Sequence, residues 1–355
     1  MDANINRARE GIRVIEETSR MLFNDGELTK RIKNVRHSLV KICKTEKGIE
    51  DAMIFARGSE NDVLREGETE SEKSRPGLNA IVRANASRAQ EAFRALEEYT
   101  KLTMPHLSGE FKALRFDMYD IEKALVSLIR VNAVTAEHRL KFCVVIDIAV
   151  ISGDAEAEYL PTLTKTILGS GAGSLIYRDR ISGDADFMRN AVEIMNVCGD
   201  RDVSVFIESR LDVAMIVRAD GIILGHGDIT PESCRKIAGM SLAIGISDAA
   251  DDNPADIIDP NAHFYITGDD RKKESSLMDA LKNVEETVSV PNVPILISVD
   301  FLNGFPTEKK GEEIAALLER GAKGILLTPD YSQPGTVAGE LRQIGEMIGS
   351  CPASM

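Results

Sequence analysis

The stretch LKFCVVIDI at residues 140–148 is the first of eight short apolar runs that decide the fold of the second part of this 355-residue chain. The other seven are AGSLIYRD (172–179), VSVFIES (203–209), GIILG (221–225), SLAIGIS (241–247), HFYIT (263–267), VPILISVD (293–300) and KGILLTPD (323–330). Helix-like segments lie between them, and TVAGELRQIGEMIG (336–349) follows the last run. Apolar runs that alternate with helices are typical of a parallel sheet with crossover helices. Eight such units predict a closed (β/α)8 TIM barrel over residues 139–350.

Residues 1–133 have a helical pattern throughout, which predicts a separate all-α domain with an internal repeat. DANINRAREGIRVIEE (2–17) recurs as RANASRAQEAFRALEE (83–98). Helices are expected at about 3–23, 27–46, 78–102 and 107–132. In the first copy, four apolar residues fall on one side of a helix: Ile5, Ala8, Ile12 and Ile15. We expect that side to be buried.

A polar stripe is what the two copies mainly share, while they swap several apolar residues. Its members are Asn4, Arg7, Glu10 and Arg13 in the first copy and Asn85, Arg88, Glu91 and Arg94 in the second. Ion-pair ladders on exposed helices would explain such a stripe without any ligand. A binding role is favoured, because two helices related by a pseudo-dyad would bring four guanidinium groups toward one cleft. Asp62, in the polar stretch 57–77, is a further candidate for ligand contact.

Charge is divided unevenly along the chain. Residues 1–133 carry 23 Lys and Arg against 22 Asp and Glu, whereas residues 134–355 carry 20 against 35. An acidic surface disfavours nucleic acid as a partner. No apolar run reaches membrane length and no signal-type segment opens the chain, so we predict a cytoplasmic protein without a membrane partner. Five cysteines without a Cys-x-x-Cys pair predict neither a disulfide framework nor a zinc site.

The barrel region resembles thiamine phosphate synthase. The resemblance rests on GAGSLIYRDR (171–180), VFIESRLDVAMIVRADGIILGHGDI (205–229), LAIGIS (242–247) and KGILL (323–327), which follow that family in order and spacing. The family joins hydroxymethylpyrimidine pyrophosphate to a thiazole phosphate and uses Mg²⁺. The resemblance therefore implies small phosphorylated pyrimidine and thiazole ligands. Carried over residue by residue, it assigns catalytic roles to Arg178, Arg180 and Ser247, substrate binding to Arg210 and a metal-ligand role to Asp228.

Several positions depart from the family pattern. The family's Gln-x-Arg-x-Lys is here Ile176 to Arg180, and its Asn-Asp-Arg begins here with Glu208 and Ser209. A glycine pair that cradles a phosphate is replaced by Val299 and Asp300. A carboxylate close to a phosphate is unfavourable in a partly dehydrated site, and the loss of glycine blocks close backbone approach. We therefore expect a degraded pyrophosphate and magnesium site in the barrel.

The N-terminal region resembles the helical domain that is often fused ahead of this synthase and is associated with hydroxymethylpyrimidine phosphate kinase activity. The matching segments are the two repeat copies, RHSL (36–39), NDV (61–63) and LRFDMYDIEKAL (114–125). This resemblance implies ATP as a co-substrate. Phosphoryl transfer needs positioning and charge neutralisation, which the stripe arginines would supply, with Glu10, Glu91 or Asp62 toward a metal. Neither a Walker loop nor a kinase glycine loop is present.

Three functions remain open at this point. In the first, the helical domain binds and phosphorylates hydroxymethylpyrimidine phosphate while the barrel site is degraded. In the second, the barrel is an active thiamine phosphate synthase with a rearranged site. In the third, the barrel is a non-catalytic scaffold or binding module. Assembly into a homo-oligomer is compatible with each of them.

Overall fold

The structure is a computed structural model that describes residues 1–45, 74–151, 156–247, 259–267, 294–302, 306–331 and 334–350. The chain divides into two compact units, Met1–Arg130 and Val131–Met355. Within the described ranges, no helix combines the length and the apolar character needed to cross a bilayer.

Four helices are described in the first unit, at the places that the sequence predicts. They are α1 (Asp2–Glu17), which continues into a π-turn at Thr18–Leu22, α2 (Gly26–Thr45), α3 (Leu78–Thr103) and α4 (Pro105–Val134). Asp25 starts α2, because its Oδ1 accepts the backbone N–H of Leu28 at 2.8 Å.

The two copies of the repeat pack against each other through α1 and α3. The predicted apolar side of α1 is buried, and it lies in one core with the apolar residues of α3. Gly11 marks the point of closest approach, because a Cβ there would lie only 2.5 Å from the carbonyl oxygen of Asn85. The small side chain of Ala89 faces the same position. The swapped apolar residues of the repeat therefore make its core.

Each copy of the repeat extends to a second helix through a buried ion pair. Glu16 of α1 contacts Arg36 of α2, with Nε 2.8 Å from Oε2. Glu97 of α3 accepts Nη2 of Arg115 of α4 at 2.9 Å. Both carboxylates are buried. The structural repeat is therefore a helical hairpin, α1–α2 and α3–α4, which is longer than the repeat visible in the sequence.

The second unit contains the predicted closed barrel of eight parallel strands, ordered β1 to β8. The strands are β1 (Phe142–Asp147), β2 (Ser174–Arg178), β3 (Ser204–Glu208), β4 (Gly221–Leu224), β5 (Ala243–Ser247), β6 (Phe264–Thr267), β7 (Ile295–Ser298) and β8 (Gly324–Leu327). β1 closes the barrel on β8, with Val144 opposite Leu327. The described helices of this unit are α5 (Glu137–Leu140), α6 (Glu156–Leu168), α7 (Asp184–Cys198), α8 (Leu211–Ile216), α9 (Pro231–Ala238), α10 (Thr307–Glu319) and α11 (Pro334–Ser350).

The barrel lumen is filled by alternate residues of the strands, and the other residues pack under the helices. Phe206 and Phe264 meet edge to face in the lumen, with ring centroids 5.3 Å apart. Gly245 makes room for them, because a Cβ there would lie 2.5 Å from the Phe264 ring. The lumen is therefore a packed core.

The N-terminal end of the barrel is closed by the chain segment that enters it. Val131 and Leu140 belong to the lumen cluster. Ser204 Oγ donates to the carbonyl oxygen of Val134 at 3.0 Å, and Ser174 Oγ donates to that of Arg139 at 2.7 Å. The C-terminal ends of the strands, where barrel sites are generally built, are therefore the expected place for a ligand site.

Candidate functional site

Polar side chains collect where the strands end. Each except Ser247 lies two residues beyond a side chain of the lumen cluster, so strand alternation points it inward. Ser247 lies two residues beyond Gly245, where a Cβ would meet the Phe264 ring in the lumen. This barrel mouth consists of Asp147 (β1), Arg178 (β2), Glu208 (β3), Ser247 (β5), Ser298 (β7) and Thr328 (β8). All except Ser247 are buried.

Glu208 holds two of the predicted catalytic arginines in the mouth. Arg178 Nε donates to its Oε2 at 2.5 Å, and Arg180 Nη2 donates to its Oε1 at 2.6 Å. Both carboxylate oxygens are therefore occupied by guanidinium groups of the chain itself. Arg178 and Glu208 are buried, whereas Arg180 is 38% exposed. The structure brings Arg178 and Arg180 together around one carboxylate, and their catalytic roles stay a prediction.

Asp147 is a second carboxylate beside Arg178, and sequence reasoning missed it. Its Oδ2 lies 3.9 Å from Arg178 Nη1, and its Oδ1 accepts the backbone N–H of Ala149 at 3.0 Å. Burial raises the pKa of the Asp147 carboxyl, although the Ala149 hydrogen bond and the Arg178 charge oppose the shift. An acidic residue at the end of a predicted barrel strand was the available signal.

Asp228, the predicted metal ligand, has one carboxylate oxygen already engaged. Its Oδ2 accepts Ser209 Oγ at 2.8 Å and the backbone N–H of Gly225 at 2.7 Å. Ser209 has a φ of 63°, in the left-handed region that few non-glycine residues adopt. Within the described part of the chain, no three His, Cys, Asp or Glu residues cluster closely enough to hold a metal ion. The described residues alone do not make a Mg²⁺ site, and this ion is implied by the resemblance to thiamine phosphate synthase.

The hydrogen bonds of Arg210 go to carboxylates outside the residues of the barrel mouth. Its guanidinium donates to Asp212 Oδ2 at 2.7 Å and to Asp184 Oδ1 at 2.8 Å. It also lies 5.2 Å above the ring centroid of Phe187, on α7. These hydrogen bonds, led by the one to Asp212, raise the pKa of the guanidinium. Substrate binding by Arg210 stays a prediction.

The far side of the mouth carries an unsatisfied hydroxyl and a carboxylate. Ser298 Oγ is fully buried and has no hydrogen-bond partner among the described residues. Asp300, at the position of a family glycine, accepts the backbone N–H of Thr328 at 2.6 Å. A backbone donor at the mouth is thus engaged by a carboxylate. Ser247, at the end of β5, is half-buried.

The stripe residues of the first unit lie on α1 and α3, with their charged groups exposed. Arg88 Nη1 lies 3.8 Å from Glu10 Oε2 and joins the two copies. Arg13 pairs with Glu17 at 2.9 Å, and Arg94 pairs with Glu97 at 2.8 Å. A shared cleft of four guanidinium groups stays a prediction.

The remaining stripe residues have local partners or none. Asn85 Nδ2 donates to the carbonyl oxygen of Ile81 at 2.9 Å, and Glu91 accepts Ser87 Oγ at 2.7 Å. Arg7 is exposed and Asn4 is half-buried. Asp62 lies outside the described residues.

Two family models match the chain. The model described as the ThiD2 family matches residues 1–124, and the model described as thiamine monophosphate synthase matches residues 148–293. The Pyrococcus furiosus thiamine phosphate pyrophosphorylase structure has a TM-score of 0.47 and 22% identity, over 60% of this chain and 98% of that one.

Curated relatives match both parts of the chain. A thiamine-phosphate synthase of Thermosynechococcus vestitus is 34% identical over 70% of this chain and 66% of its own length, slightly under two thirds of it. A thiamine-phosphate synthase of Prochlorococcus marinus strain AS9601 is 30% identical over 82% of this chain and 81% of its own length. On these matches, the chain belongs to the thiamine-phosphate synthase family and carries a ThiD2 family domain ahead of its barrel.

Proposed function

We propose that this chain acts in thiamine biosynthesis through its helical domain, which binds hydroxymethylpyrimidine phosphate and phosphorylates it, while the barrel mouth no longer holds pyrophosphate. The observation that carries this proposal is the different state of the arginines in the two units. Arg178 is buried against Glu208, whereas Arg88 and Arg94 are 52% and 55% exposed.

Burial decides which of these arginines can accept a phosphate. Exposed ion pairs contribute about 0–1 kcal/mol, so a phosphate dianion can displace Glu10 from Arg88 or Glu98 from Arg94 at small cost. A buried pair behaves differently, because the partner left behind is an uncompensated charge. An anion that enters the mouth would have to displace Glu208 from Arg178 and then remain beside it. The helical domain is therefore the better anion site.

The proposed reaction transfers a phosphoryl group from ATP. The bond between the γ-phosphorus and the bridging oxygen of ADP breaks, and a bond forms between that phosphorus and a phosphate oxygen of hydroxymethylpyrimidine phosphate. ADP leaves with the bridging oxygen. Arg7, Arg13, Arg88 and Arg94 would neutralise the phosphates, and Asn4 and Asn85 would contact the edges of the ligand. The roles of Glu10, Glu91 and Asp62 toward a metal rest on the family resemblance.

An ADP-release assay tests this proposal. The purified full-length chain should release ADP when given hydroxymethylpyrimidine phosphate and ATP, and Arg7→Ala or Arg88→Ala should abolish the release. Arg83→Ala is the matched control, because Arg83 is an exposed arginine of α3 outside the stripe that donates to Asn79. ADP release that depends on the substrate and survives both stripe substitutions would refute the assignment.

An active synthase in the barrel is the second candidate, favoured by the retained Arg178 and Asp228 and by the names of the relatives. We expect no thiamine phosphate when the full-length chain receives hydroxymethylpyrimidine pyrophosphate and thiazole phosphate with Mg²⁺. Product that forms in the native chain and is lost in Arg178→Gln would establish this candidate instead. If no product forms, a barrel that serves as a scaffold or binding module remains.

A further inference from the structure

A patch of exposed aromatic side chains lies on the second hairpin of the helical unit. Phe116 and Tyr119 of α4 are 51% and 41% exposed. Their ring centroids are 5.8 Å apart, with the rings nearly perpendicular. Most proteins cover aromatic surface of this kind, and exposed aromatics beside charged groups often mark a binding site.

Arg115 organises this aromatic patch. Its guanidinium carbon lies 5.0 Å from the Phe116 ring centroid and 5.7 Å from that of Tyr119, and Nη1 donates to Tyr119 Oη at 3.1 Å. The same guanidinium is held by Glu97 through Nε at 3.1 Å and Nη2 at 2.9 Å. The two rings are therefore positioned by a buried ion pair and not left to move freely.

The patch is connected to the polar stripe through Glu97. The other oxygen of this carboxylate, Oε1, accepts Arg94 Nη1 at 2.8 Å. Arg94 is a stripe residue and its side chain is 55% exposed. The exposed guanidinium of Arg94 thus binds the same carboxylate, Glu97, that holds Arg115 beside the two rings. A flat ring on the aromatics and an anionic group at Arg94 would satisfy both features with one ligand.

The repeat shows that the hairpin does not need these aromatic residues. In the first copy, Glu16 and Arg36 form the equivalent ion pair, with Arg36 20 residues after Glu16 and Arg115 18 residues after Glu97. The positions that follow Arg36 at the spacing of Phe116 and Tyr119 are His37 and Val40. Packing is therefore achieved without the rings, and their presence in only one copy favours a ligand-binding role.

We infer that Phe116 and Tyr119 stack against the heteroaromatic ring of a phosphorylated ligand whose phosphate is bound by Arg94. This inference rests on the proposed function and extends it, because it gives the pyrimidine a place on α4 beside the stripe. Base-sized rings on aromatic side chains contribute about 1–3 kcal/mol, which corresponds to roughly a fivefold to 150-fold change in affinity.

Calorimetry on the full-length chain tests the inference, with hydroxymethylpyrimidine phosphate and unphosphorylated hydroxymethylpyrimidine as the two probes. Phe116→Leu and Tyr119→Leu should each weaken both probes by about tenfold. Arg94→Gln should weaken the phosphorylated probe alone. The matched control is His37→Leu, which changes the equivalent exposed position of the first copy and should leave both affinities unchanged.

The outcomes separate this inference from the proposed function. If the phosphorylated probe binds and ADP release persists, but Phe116→Leu and Tyr119→Leu leave both affinities unchanged, the inference is wrong and the proposed function survives. If neither probe binds the native chain, both fail. If the substitutions change the mass of the protein in sedimentation while affinity stays the same, the patch is an interface between copies, which also overturns the inference. Thermal unfolding checks that each variant is folded.

Discussion

Both the helical unit and the barrel contain buried carboxylates that are paired with arginines. In the helical unit, Glu16 and Glu97 are each enclosed by a neighbouring helix and met by an arginine from it. In the barrel, Glu208 is met by Arg178 and Arg180. A buried carboxylate is favourable only while its partners are in place, since desolvation costs several kcal/mol per ion. Such residues therefore constrain structure far more than the exposed charges that surround them.

Removing the buried carboxylate of the second hairpin should destabilise the protein. Glu97→Ala leaves Arg115, whose side chain is 13% exposed, without its ion-pair partner. We expect a loss of about 3 kcal/mol in the free energy of unfolding, measured by urea denaturation of the full chain. Glu17→Ala, which breaks the exposed pair with Arg13, is the control and should cost less than about 1 kcal/mol. Equal losses in the two variants would contradict the account.

The close approach of α1 and α3 gives a second prediction at this scale. In Gly11→Ala, the new Cβ would lie 2.5 Å from the carbonyl oxygen of Asn85, so the helices must separate. We expect destabilisation of about 1–3 kcal/mol, seen as a lower urea midpoint. Gly109→Ala in α4 is the control, because a Cβ there meets nothing within 4 Å and the change should stabilise the helix by roughly 0.5–1 kcal/mol. A Gly11→Ala variant as stable as the native chain would show that the helices are not so closely packed.

At the scale of elements, the pattern of apolar residues in the sequence was enough to locate the described helices of the first unit and the eight strands of the barrel. Each barrel strand alternates between the lumen and the helix layer, and both environments are apolar, so the strands read as short continuous apolar runs. All eight lie inside or at the predicted limits. The repeat was also visible, because its two helices keep identical residues at matching positions.

The site could be predicted only in part, because the sequence does not show which side chains pair with each other. Arg178 and Arg180 were found because a resemblance named their positions. Their neutralisation by Glu208 was not predicted, since which side chains meet depends on the register of adjacent strands, and Tyr177 of β2 lies opposite Ile207 of β3. The ion pairs of Arg36 and Arg115 were missed for a similar reason. Their partners, Glu16 and Glu97, lie 20 and 18 residues earlier in the sequence, on another helix.

A buried histidine between α9 and the strands β5 and β6 gives a prediction about how stability depends on pH. His263, just before β6, accepts the backbone N–H of Ile244 at 3.0 Å through Nδ1, and Arg235 Nη2 lies 3.5 Å from the ring. Burial, reinforced by the Arg235 charge, lowers the pKa of His263 to about 4. The unfolded chain protonates this histidine near its usual pKa of about 6.5, whereas the folded chain resists. Stability is therefore lost as pH falls from about 6.5 toward 4.

The test compares the native chain with His263→Gln by urea unfolding at pH 7 and pH 5. Between these values, the native chain should lose about 2 kcal/mol more than the variant, because the variant lacks the group that titrates. His138→Gln is the control, since His138 is an exposed histidine of the same unit. If native and His263→Gln chains lose the same stability on acidification, the assignment is wrong.

At the scale of the whole molecule, the part to which we assign the anionic ligand is nearly neutral, and the barrel part is acidic. The first 133 residues are nearly balanced, while the remainder carries 20 Lys and Arg against 35 Asp and Glu. The general field of the second part therefore opposes an anionic ligand. At the mouth itself, Glu208 and Asp300 accept hydrogen bonds from groups that an anion would use, and Asp147 lies 3.9 Å from Arg178.

Pyrophosphate titration by calorimetry is the most direct test of the claim that the barrel neutralises its own anion site. Glu208→Gln keeps the shape of the side chain and removes the charge that pairs with Arg178 and Arg180. The account predicts that this variant binds pyrophosphate at least about tenfold more tightly than the native chain, and that a further Arg178→Gln change removes the gain. Glu232→Gln is the control and should bind as the native chain does, because Glu232 pairs with Lys236 at the surface. Identical isotherms for the native chain and Glu208→Gln would contradict it.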